Sequence, residues 1–270
     1  MSSKGKFQEL KNANKIWAIG SIHSNIESFK SINNYILSNF SKGDKLIFLG
    51  NIIGFRNKSK EIISEILMLR FSLMAKFNLN HEDIIFLRGA QEEMLSKLLQ
   101  LQTAPNPIEI VEWIFSHGVD KTIFSYDLSP DEFINTASQG TLQINKLTAR
   151  LNKQISLIPG HKEFFSNLKH AAYTDTKELL FVNRGVDISR PLSAQYDCFW
   201  WGYQNFSLIE KPYNSFKRIV RGYQSNPNND LENSKSRVLC TLFRQPLESE
   251  KILAGIFSKN GDILELFESN

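Results

Sequence analysis

Residues 16–101 repeat one pattern of hydrophobic and polar positions three times. Each unit has a short apolar run, then a turn that contains glycine, then a segment whose apolar residues recur at helical spacing. The apolar runs are Ile16–Ile19, Leu46–Leu49 and Ile84–Leu87. Strand–turn–helix units in series are typical of parallel strands joined by right-handed crossovers. Because ligands bind at the carboxyl ends of such strands, we expect a site on these three turns.

The helix after each turn has a predicted start. Ser24 and Glu27 have the spacing of a capping box, in which each side chain accepts a hydrogen bond from the other residue's backbone N–H. The first helix is therefore predicted to begin at Ser24, with an apolar face formed by Ile26, Phe29, Ile32 and Ile36. The second helix is predicted over Ser59–Leu69, and the third from Glu92.

Residues 102–175 lack the strand-sized runs and are predicted to be a helical insertion. Ser129 followed by Pro130 and Glu132 is typical of a helix start, with serine as the N-cap and proline in the first turn. The predicted helices of this insertion are Ile108–Phe115, Pro130–Ala137, Leu142–Ile155 and Glu163–Ala171.

Short apolar runs return from residue 179 and predict further strands. They are Leu179–Val182, Arg218–Val220, Arg237–Leu242, Ile252–Phe257 and Ile263–Phe267. The last two are separated by Lys259–Asp262, a spacing that predicts a β-hairpin. The polar residues 224–236 are predicted to be a mobile loop.

Composition then narrows the class of protein. The 270 residues are 41% hydrophobic and 22% charged, which is ordinary for a soluble globular protein. The net charge of +4 comes without a clustered lysine and arginine run, so nucleic acid is not an expected partner. Residues 1–14 are predicted to be a disordered tail and residues 15–270 a single domain. We see neither a signal peptide nor an apolar run of membrane-spanning length, so we expect a cytoplasmic protein without membrane contact.

Five turns at strand ends carry a resemblance to a known family. They are Gly20–Ser24, Gly50–Arg56, Arg88–Glu92, Phe181–Gly185 and Val220–Gln224. In order, spacing and flanks they resemble the calcineurin-like metallophosphoesterases, in particular the serine/threonine protein phosphatase branch. The turns of that family read GDxHG, GDxVDRG, RGNHE, V-H-[AG]-G and a late G-H. The resemblance covers about residues 15–267 and implies a four-layer αββα sandwich with two central sheets.

The resemblance also indicates which residues of this chain stand at the family's metal-ligand, catalytic and phosphate-binding positions. Active members hold two divalent metal ions, such as manganese, iron or zinc, with six side chains from these turns. The matching positions here are Ser21, His23, Asn51, Ala90, Asn183 and Tyr223, of which only His23 keeps the family's residue type. The catalytic histidine corresponds to Gln91, and the aspartate that orients it corresponds to Gly54. The two phosphate-clamping arginines correspond to Phe55, with Arg56 shifted by one position, and to Gly202.

These substitutions predict that the metal site is lost while its scaffold is kept. Two divalent cations need anionic oxygen ligands to balance their charge, and Ser21, Asn51 and Ala90 supply none. The turn glycines Gly20, Gly50, Gly89, Gly185 and Gly222 all remain. We therefore interpret the chain as a pseudophosphatase without cofactor or catalytic residues, which binds a partner protein or a phosphorylated ligand. Arg56, Arg184 and Arg221 are the candidate anion-binding residues.

Two other hypotheses remain open from the sequence. The first is a divergent phosphoric ester hydrolase, acting on a phosphoprotein or a nucleotide, in which His23, Glu92 and Tyr223 serve a rebuilt site with one metal ion. The second is a nucleic-acid-associated protein, which only the positive charge balance supports.

Overall fold

The computed structural model describes residues 5–202, 206, 209–224, 237–243 and 251–270. Its strands are β1 (Phe7–Leu10), β2 (Lys15–Ile19), β3 (Lys45–Phe48), β4 (Ile84–Phe86), β5 (Ala171–Thr174), β6 (Leu179–Val182), β7 (Arg218–Arg221), β8 (Leu239–Thr241), β9 (Leu253–Ser258) and β10 (Ile263–Glu268). Its helices are α1 (Ile26–Asn39), α2 (Ser59–Phe77), α3 (Ala90–Leu98), α4 (Pro107–Ser116), α5 (Val119–Ser125), α6 (Pro130–Ala137), α7 (Thr141–Leu157), α8 (His161–Ser166) and α9 (Cys198–Trp201).

In the described part of the chain, the strands form two sheets of five. One has the order β10-β9-β2-β3-β4, in which β2, β3 and β4 are parallel, as the repeated units predict. Strands β9 and β10 pair antiparallel, which confirms the predicted hairpin. The other sheet has the order β1-β5-β6-β7-β8, and β6, β7 and β8 are parallel.

The central strands are uninterrupted apolar runs because both of their faces are buried. In β2, Ile16 and Ala18 face a core between the two sheets that also holds Phe181 of β6. Trp17 and Ile19 of the same strand belong to the core on the helical side. The sheets therefore pack face to face with helical layers outside them, and the predicted four-layer αββα sandwich is confirmed.

The start of α1 differs from its prediction. The N-cap is Asn25, whose side chain accepts a hydrogen bond from the Ser28 N–H at 3.2 Å. Ser24 instead has φ +57° and hydrogen-bonds through its hydroxyl to Ser59 Oγ at 2.8 Å. Since an N-cap residue normally has extended backbone, the predicted capping box of Ser24 and Glu27 is wrong.

The later helices follow their predictions with shifted ends. Helix α2 continues past the predicted end at Leu69 to Phe77, where Asn78 provides a left-handed C-cap. Helix α3 begins at Ala90, two residues before the predicted start. Helix α6 begins at Pro130 with Ser129 as N-cap, as predicted.

Helices α4 to α8 occupy the segment predicted as a helical insertion. The prediction of a helix over Glu163–Ala171 is wrong at its end, because α8 stops at Ser166 and β5 begins at Ala171. The two alanines that open β5 favour a helix in isolation, yet β5 pairs with both β1 and β6. Long-range pairing outweighs local preference here.

The predicted disordered tail over residues 1–14 also needs correction. Phe7–Leu10 forms β1, which pairs parallel with β5, so the residues from Phe7 onward are part of the second sheet. Residues 1–4 lie outside the described part of the chain, as do residues 225–236 of the predicted loop. Among the described residues, no helix has both the length and the apolar character to cross a membrane.

Candidate functional site

The turns at the carboxyl ends of the strands interlock through their backbones. Ser21 N–H donates to the Gly222 carbonyl at 3.0 Å, and the Asn51 carbonyl accepts from the N–H groups of Ile22 and His23. A β-carbon at Gly222 would overlap Leu49, and one at Gly89 would overlap Asn51. Gly89 and Gly222 therefore allow neighbouring turns to pack closely against each other. This packing does not depend on a bound metal ion.

Ser21 and Asn51 form a neutral network. Ser21 Oγ donates to the Gly222 carbonyl at 2.8 Å, and Asn51 Nδ2 lies 3.3 Å from Ser21 Oγ. Asn51 Oδ1 accepts from the Gln91 N–H at 3.1 Å. Both side chains are buried, so their polar atoms bind other parts of the protein and carry no charge into the site.

Asn183 and Ala90 lie in the same region. Asn183 Nδ2 donates to the Leu49 carbonyl at 2.7 Å, which ties β6 of one sheet to the end of β3 in the other. Its Oδ1 is buried and accepts no hydrogen bond from a described residue. Ala90 opens α3 and contributes only a methyl group.

His23 lies within an aromatic cluster formed by His23, Phe55, Tyr223 and Phe243. Its imidazole contacts the rings of Phe55, Tyr223 and Phe243 edge-on, with centroids 4.9, 5.7 and 6.3 Å away. Tyr223 and Phe243 also contact each other at 4.6 Å. Neither ring nitrogen of His23 reaches a described hydrogen-bond partner at bonding geometry. Burial, reinforced by the charge of Arg56, lowers the pKa of His23 to about 3, so its imidazole is neutral at pH 7.

Gln91 and Gly54 pack directly against each other. Gln91 is 3% exposed, and its Nε2 donates to the His117 carbonyl at 2.8 Å. A β-carbon on Gly54, which has φ +93°, would overlap the Oε1 and Cδ atoms of Gln91. The Gln91 amide therefore occupies the space that a side chain at position 54 would need.

Glu92 holds the second turn in place. Its carboxylate accepts hydrogen bonds from the N–H groups of Asn51, Ile52 and Ile53 at 2.9, 2.7 and 3.2 Å. It also accepts from Gly89 N–H at the start of α3. Burial raises the pKa of Glu92, and these four backbone donors oppose the shift. Glu92 therefore has a structural role, because its carboxylate joins the second turn to the start of α3.

Comparisons with known proteins gave structural matches only. No family model matches the chain, and no curated protein matches it. A putative diadenosine tetraphosphatase is 13% identical, with a TM-score of 0.52, covering 98% of this chain and 99% of that one. A protein serine/threonine phosphatase from Saccharomyces cerevisiae is 13% identical, with a TM-score of 0.51, covering 98% of this chain and 83% of that one. A hypothetical protein from Pyrococcus horikoshii OT3 is 13% identical at a TM-score of 0.50, covering 95% and 88%.

The chain has the calcineurin-like metallophosphoesterase fold. Sequence identity this low establishes the fold alone. The metal-ligand and catalytic positions are therefore known only from the sequence motifs. Any argument about function has to rest on the contacts that these residues make in this chain.

The six metal-ligand positions of this fold do not suit two divalent cations. They offer one imidazole, two amides, a serine, a phenol and a methyl group, with no carboxylate among them. Within the described ranges, no group of three histidine, cysteine, aspartate or glutamate side chains is arranged to hold a metal ion. The aromatic cluster brings together two of the six positions, His23 and Tyr223, by ring packing.

The three candidate anion-binding arginines have different surroundings. Arg221 is buried and donates to Thr241 Oγ1 and Gln224 Oε1. Arg56 is half-buried and donates to the His23 carbonyl at 3.3 Å. Arg184 is half-buried, and its guanidinium carbon lies 5.5 Å from the centre of the Tyr223 ring. Among these, Arg184 and Arg56 flank the aromatic cluster.

The side chain of Arg184 also packs against the α-carbon of Gly202. A β-carbon on Gly202 would lie 3.0 Å from the Cγ, Cδ and Nε atoms of Arg184. The resemblance assigns Gly202 to a phosphate-clamping arginine, and the side chain of Arg184 lies beside this position from a different turn. Burial lowers the pKa of Arg184, and the neighbouring Tyr223 opposes this shift.

Sequence reasoning missed Phe243 and His117 as parts of this region. Phe243 follows β8 outside any motif, and His117 follows α4. A search for aromatic residues just after predicted strands could have found Phe243. Only the fold reveals that His117 meets Gln91.

Proposed function

We propose that this chain is a phosphatase-fold protein that does not hydrolyse phosphoesters by a two-metal mechanism and instead binds a phosphorylated ligand or partner in the former active-site cleft. The observation that carries this proposal is Arg184. It lies across Gly202 and stacks on Tyr223, so a guanidinium group borders a cleft whose metal-ligand positions hold neutral and aromatic side chains.

The loss of hydrolysis follows from the donor chemistry of the turns. A two-metal mechanism needs ligands that neutralise the cations and activate a water molecule. Ser21 and Asn51 use their polar atoms on each other and on the backbone, and Gln91 binds His117 where the family has its catalytic histidine. No proton-transfer group remains at that position.

Phosphate recognition is supported by the charge and exposure of Arg184. It makes no ion pair with a described carboxylate, and it keeps access to solvent. Guanidinium groups bind phosphate oxygens through charge-assisted hydrogen bonds, and a half-buried cation gains more from such bonds than an exposed one. Arg56, on the other side of His23, adds positive charge to the same cleft.

The first test measures metal content and turnover together. The protein is dialysed against excess Mn²⁺ and then buffer, and manganese, zinc and iron are determined by elemental analysis. We expect less than about a tenth of a metal ion per chain. We also expect no hydrolysis of p-nitrophenyl phosphate, a phosphopeptide or diadenosine tetraphosphate above the buffer rate. Retention of one or two metal ions together with turnover would overturn the loss of hydrolysis.

The second test measures phosphate binding. Phenyl phosphate should bind with a dissociation constant of about 0.1–1 mM, the range for a small anionic ligand. Arg184→Ala should weaken it about tenfold, whereas Arg150→Ala, which removes an exposed arginine of α7, should leave it unchanged. Equal affinities of the two variants would contradict the role of Arg184.

A divergent hydrolase is the second candidate, and one observation favours it. The neutral imidazole of His23 and the Oδ1 atom of Asn183 are both buried without a described hydrogen-bond partner. A neutral imidazole can ligate a metal ion. Under this hypothesis His23→Ala would abolish a measurable phosphoesterase activity, whereas the pseudophosphatase proposal expects no activity to lose.

A further inference from the structure

A second cavity lies away from the turns, where the edges of the two sheets meet helices α2 and α8. Its volume is about 450 Å³, within the range of small-molecule sites. Gln8 of edge strand β1 and Ile84–Phe86 of edge strand β4 line one side. The other side is lined by Leu67, Arg70 and Phe71 of α2 and by Gly160, Glu163, Phe164 and Asn167 around α8.

The walls of this cavity are largely aromatic and aliphatic. Phe86 and Phe164 pack together with ring centroids 5.2 Å apart, and both are buried. Leu67 and Ile84 add aliphatic surface, and Phe71 at the mouth is 61% exposed. Such walls favour a ligand with an aromatic or branched apolar body.

One cation lies against these walls. The guanidinium carbon of Arg70 is 5.4 Å from the centre of the Phe86 ring. One terminal nitrogen of Arg70 contacts His81 Nδ1 at 2.6 Å and donates to the His81 carbonyl at 3.3 Å. The guanidinium makes no ion pair with a carboxylate of the described residues, and its Nε is buried without an acceptor there. Burial lowers the pKa of Arg70, because the charged guanidinium is partly removed from water.

The other charged groups that line the cavity are Glu82, Glu163 and the half-buried Lys169. Glu82 and Glu163 are exposed, and Lys169 donates to the Gly5 carbonyl at 3.0 Å. A ligand that enters the cavity therefore meets water-exposed acids at the rim and the half-buried Arg70 against the aromatic wall.

We propose that this cavity binds an amphipathic monocarboxylate, with its carboxylate on Arg70 and its apolar body against Phe71, Phe86 and Phe164. A carboxylate matches the planar guanidinium and compensates its charge. A single negative charge fits better than a phosphate dianion, because Lys169, the other cation of the lining, already donates to the Gly5 carbonyl and Glu82 and Glu163 add negative charge. This site is independent of the phosphate binding proposed for the cleft.

The test is a titration of the full chain followed by two-dimensional amide NMR. The probe is naphthalene-1-acetate, and naphthalene-1-acetamide is its neutral counterpart. We expect saturable shifts around the cavity with a dissociation constant of about 0.1–1 mM, and affinity about tenfold weaker for the amide. No saturation by about 10 mM, shifts that map elsewhere, or equal affinity for the amide would overturn the proposal.

Two exposed positions of α2 provide matched variants that should fold normally. Phe71 lines the cavity, whereas Met68, which is 64% exposed, does not line it. Phe71→Glu should weaken naphthalene-1-acetate about tenfold or more, because it places a negative charge where the naphthalene ring would lie. Met68→Glu adds the same charge to the same helix and should leave the affinity nearly unchanged. Equal effects of the two variants would contradict binding in the cavity.

Discussion

Replacing Gly54 with alanine should destabilise the protein more than the same replacement at Gly140. Both glycines have positive φ, +93° at Gly54 and +90° at Gly140, and the ψ of 167° at Gly140 lies in a region that essentially only glycine adopts. A β-carbon at Gly140 has no atom within 4 Å, whereas one at Gly54 overlaps the side-chain amide of Gln91. Gly140 therefore reports the cost of a positive-φ backbone without steric overlap, whereas Gly54 adds the overlap with Gln91.

The magnitude follows from these two costs. Left-handed backbone costs an L-residue about 1–2 kcal/mol, and the essentially glycine-only conformation of Gly140 should cost Gly140→Ala about 1–3 kcal/mol. At Gly54 the overlap adds about 1–3 kcal/mol, because Gln91 is buried and cannot move without losing its hydrogen bond to the His117 carbonyl. Gly54→Ala should therefore reduce the free energy of unfolding by about 2–5 kcal/mol in total.

Urea unfolding of the two single variants, of Gln91→Ala and of the Gly54→Ala/Gln91→Ala double variant measures these terms. In the Gln91→Ala background, Gly54→Ala should cost only the backbone strain, about 1–2 kcal/mol. The reasoning is refuted if shortening Gln91 leaves the cost of Gly54→Ala unchanged.

Two further changes test the scaffold. Glu92→Gln should lower the free energy of unfolding by about 2–4 kcal/mol. The reason is that an amide cannot replace a carboxylate that accepts hydrogen bonds from four backbone N–H groups. A loss below about 1 kcal/mol in urea unfolding would contradict this role of Glu92. His161 is buried between Ser64 and Tyr126, and burial, helped by Lys60, lowers its pKa to about 4. The unfolded chain then binds more protons, so stability should fall from pH 6.5 to pH 4 by at most about 3 kcal/mol from this group, and His161→Gln should flatten that dependence. An unchanged pH profile in His161→Gln would show that His161 is not the group that titrates.

The strands of the first sheet could be predicted because their signal is local. Ile16–Ile19 and Leu46–Leu49 are continuous apolar runs since each strand is covered by a sheet on one face and helices on the other. Strands β1 and β5 could not be predicted in this way. Gln8 and Glu9 lie on an edge strand, and the alanines of β5 owe their conformation to partners far along the chain.

The candidate site was predictable position by position, but not in how its side chains pack. The motifs identified Ser21, Asn51 and Tyr223 as substituted ligand positions, because each lies at a fixed offset from a turn glycine. No offset could indicate that Phe243 meets His23, because Phe243 comes from the end of β8 in the other sheet. Contacts across the two sheets depend on the fold and leave no local pattern.

Two pairs of residues give the substitutions a common physical interpretation. Gln91 fills the space over Gly54, and Arg184 fills the space over Gly202. In each pair a larger side chain from one turn occupies the volume left where another turn has only glycine. The sequence shows three lost positions, Gln91, Gly54 and Gly202, whereas the structure shows that Gln91 lies over Gly54 and that Arg184 lies over Gly202. The region around these turns holds aromatic rings, amides and a guanidinium group where the resemblance places metal-binding carboxylates. That arrangement fits the recognition of an anion better than its hydrolysis.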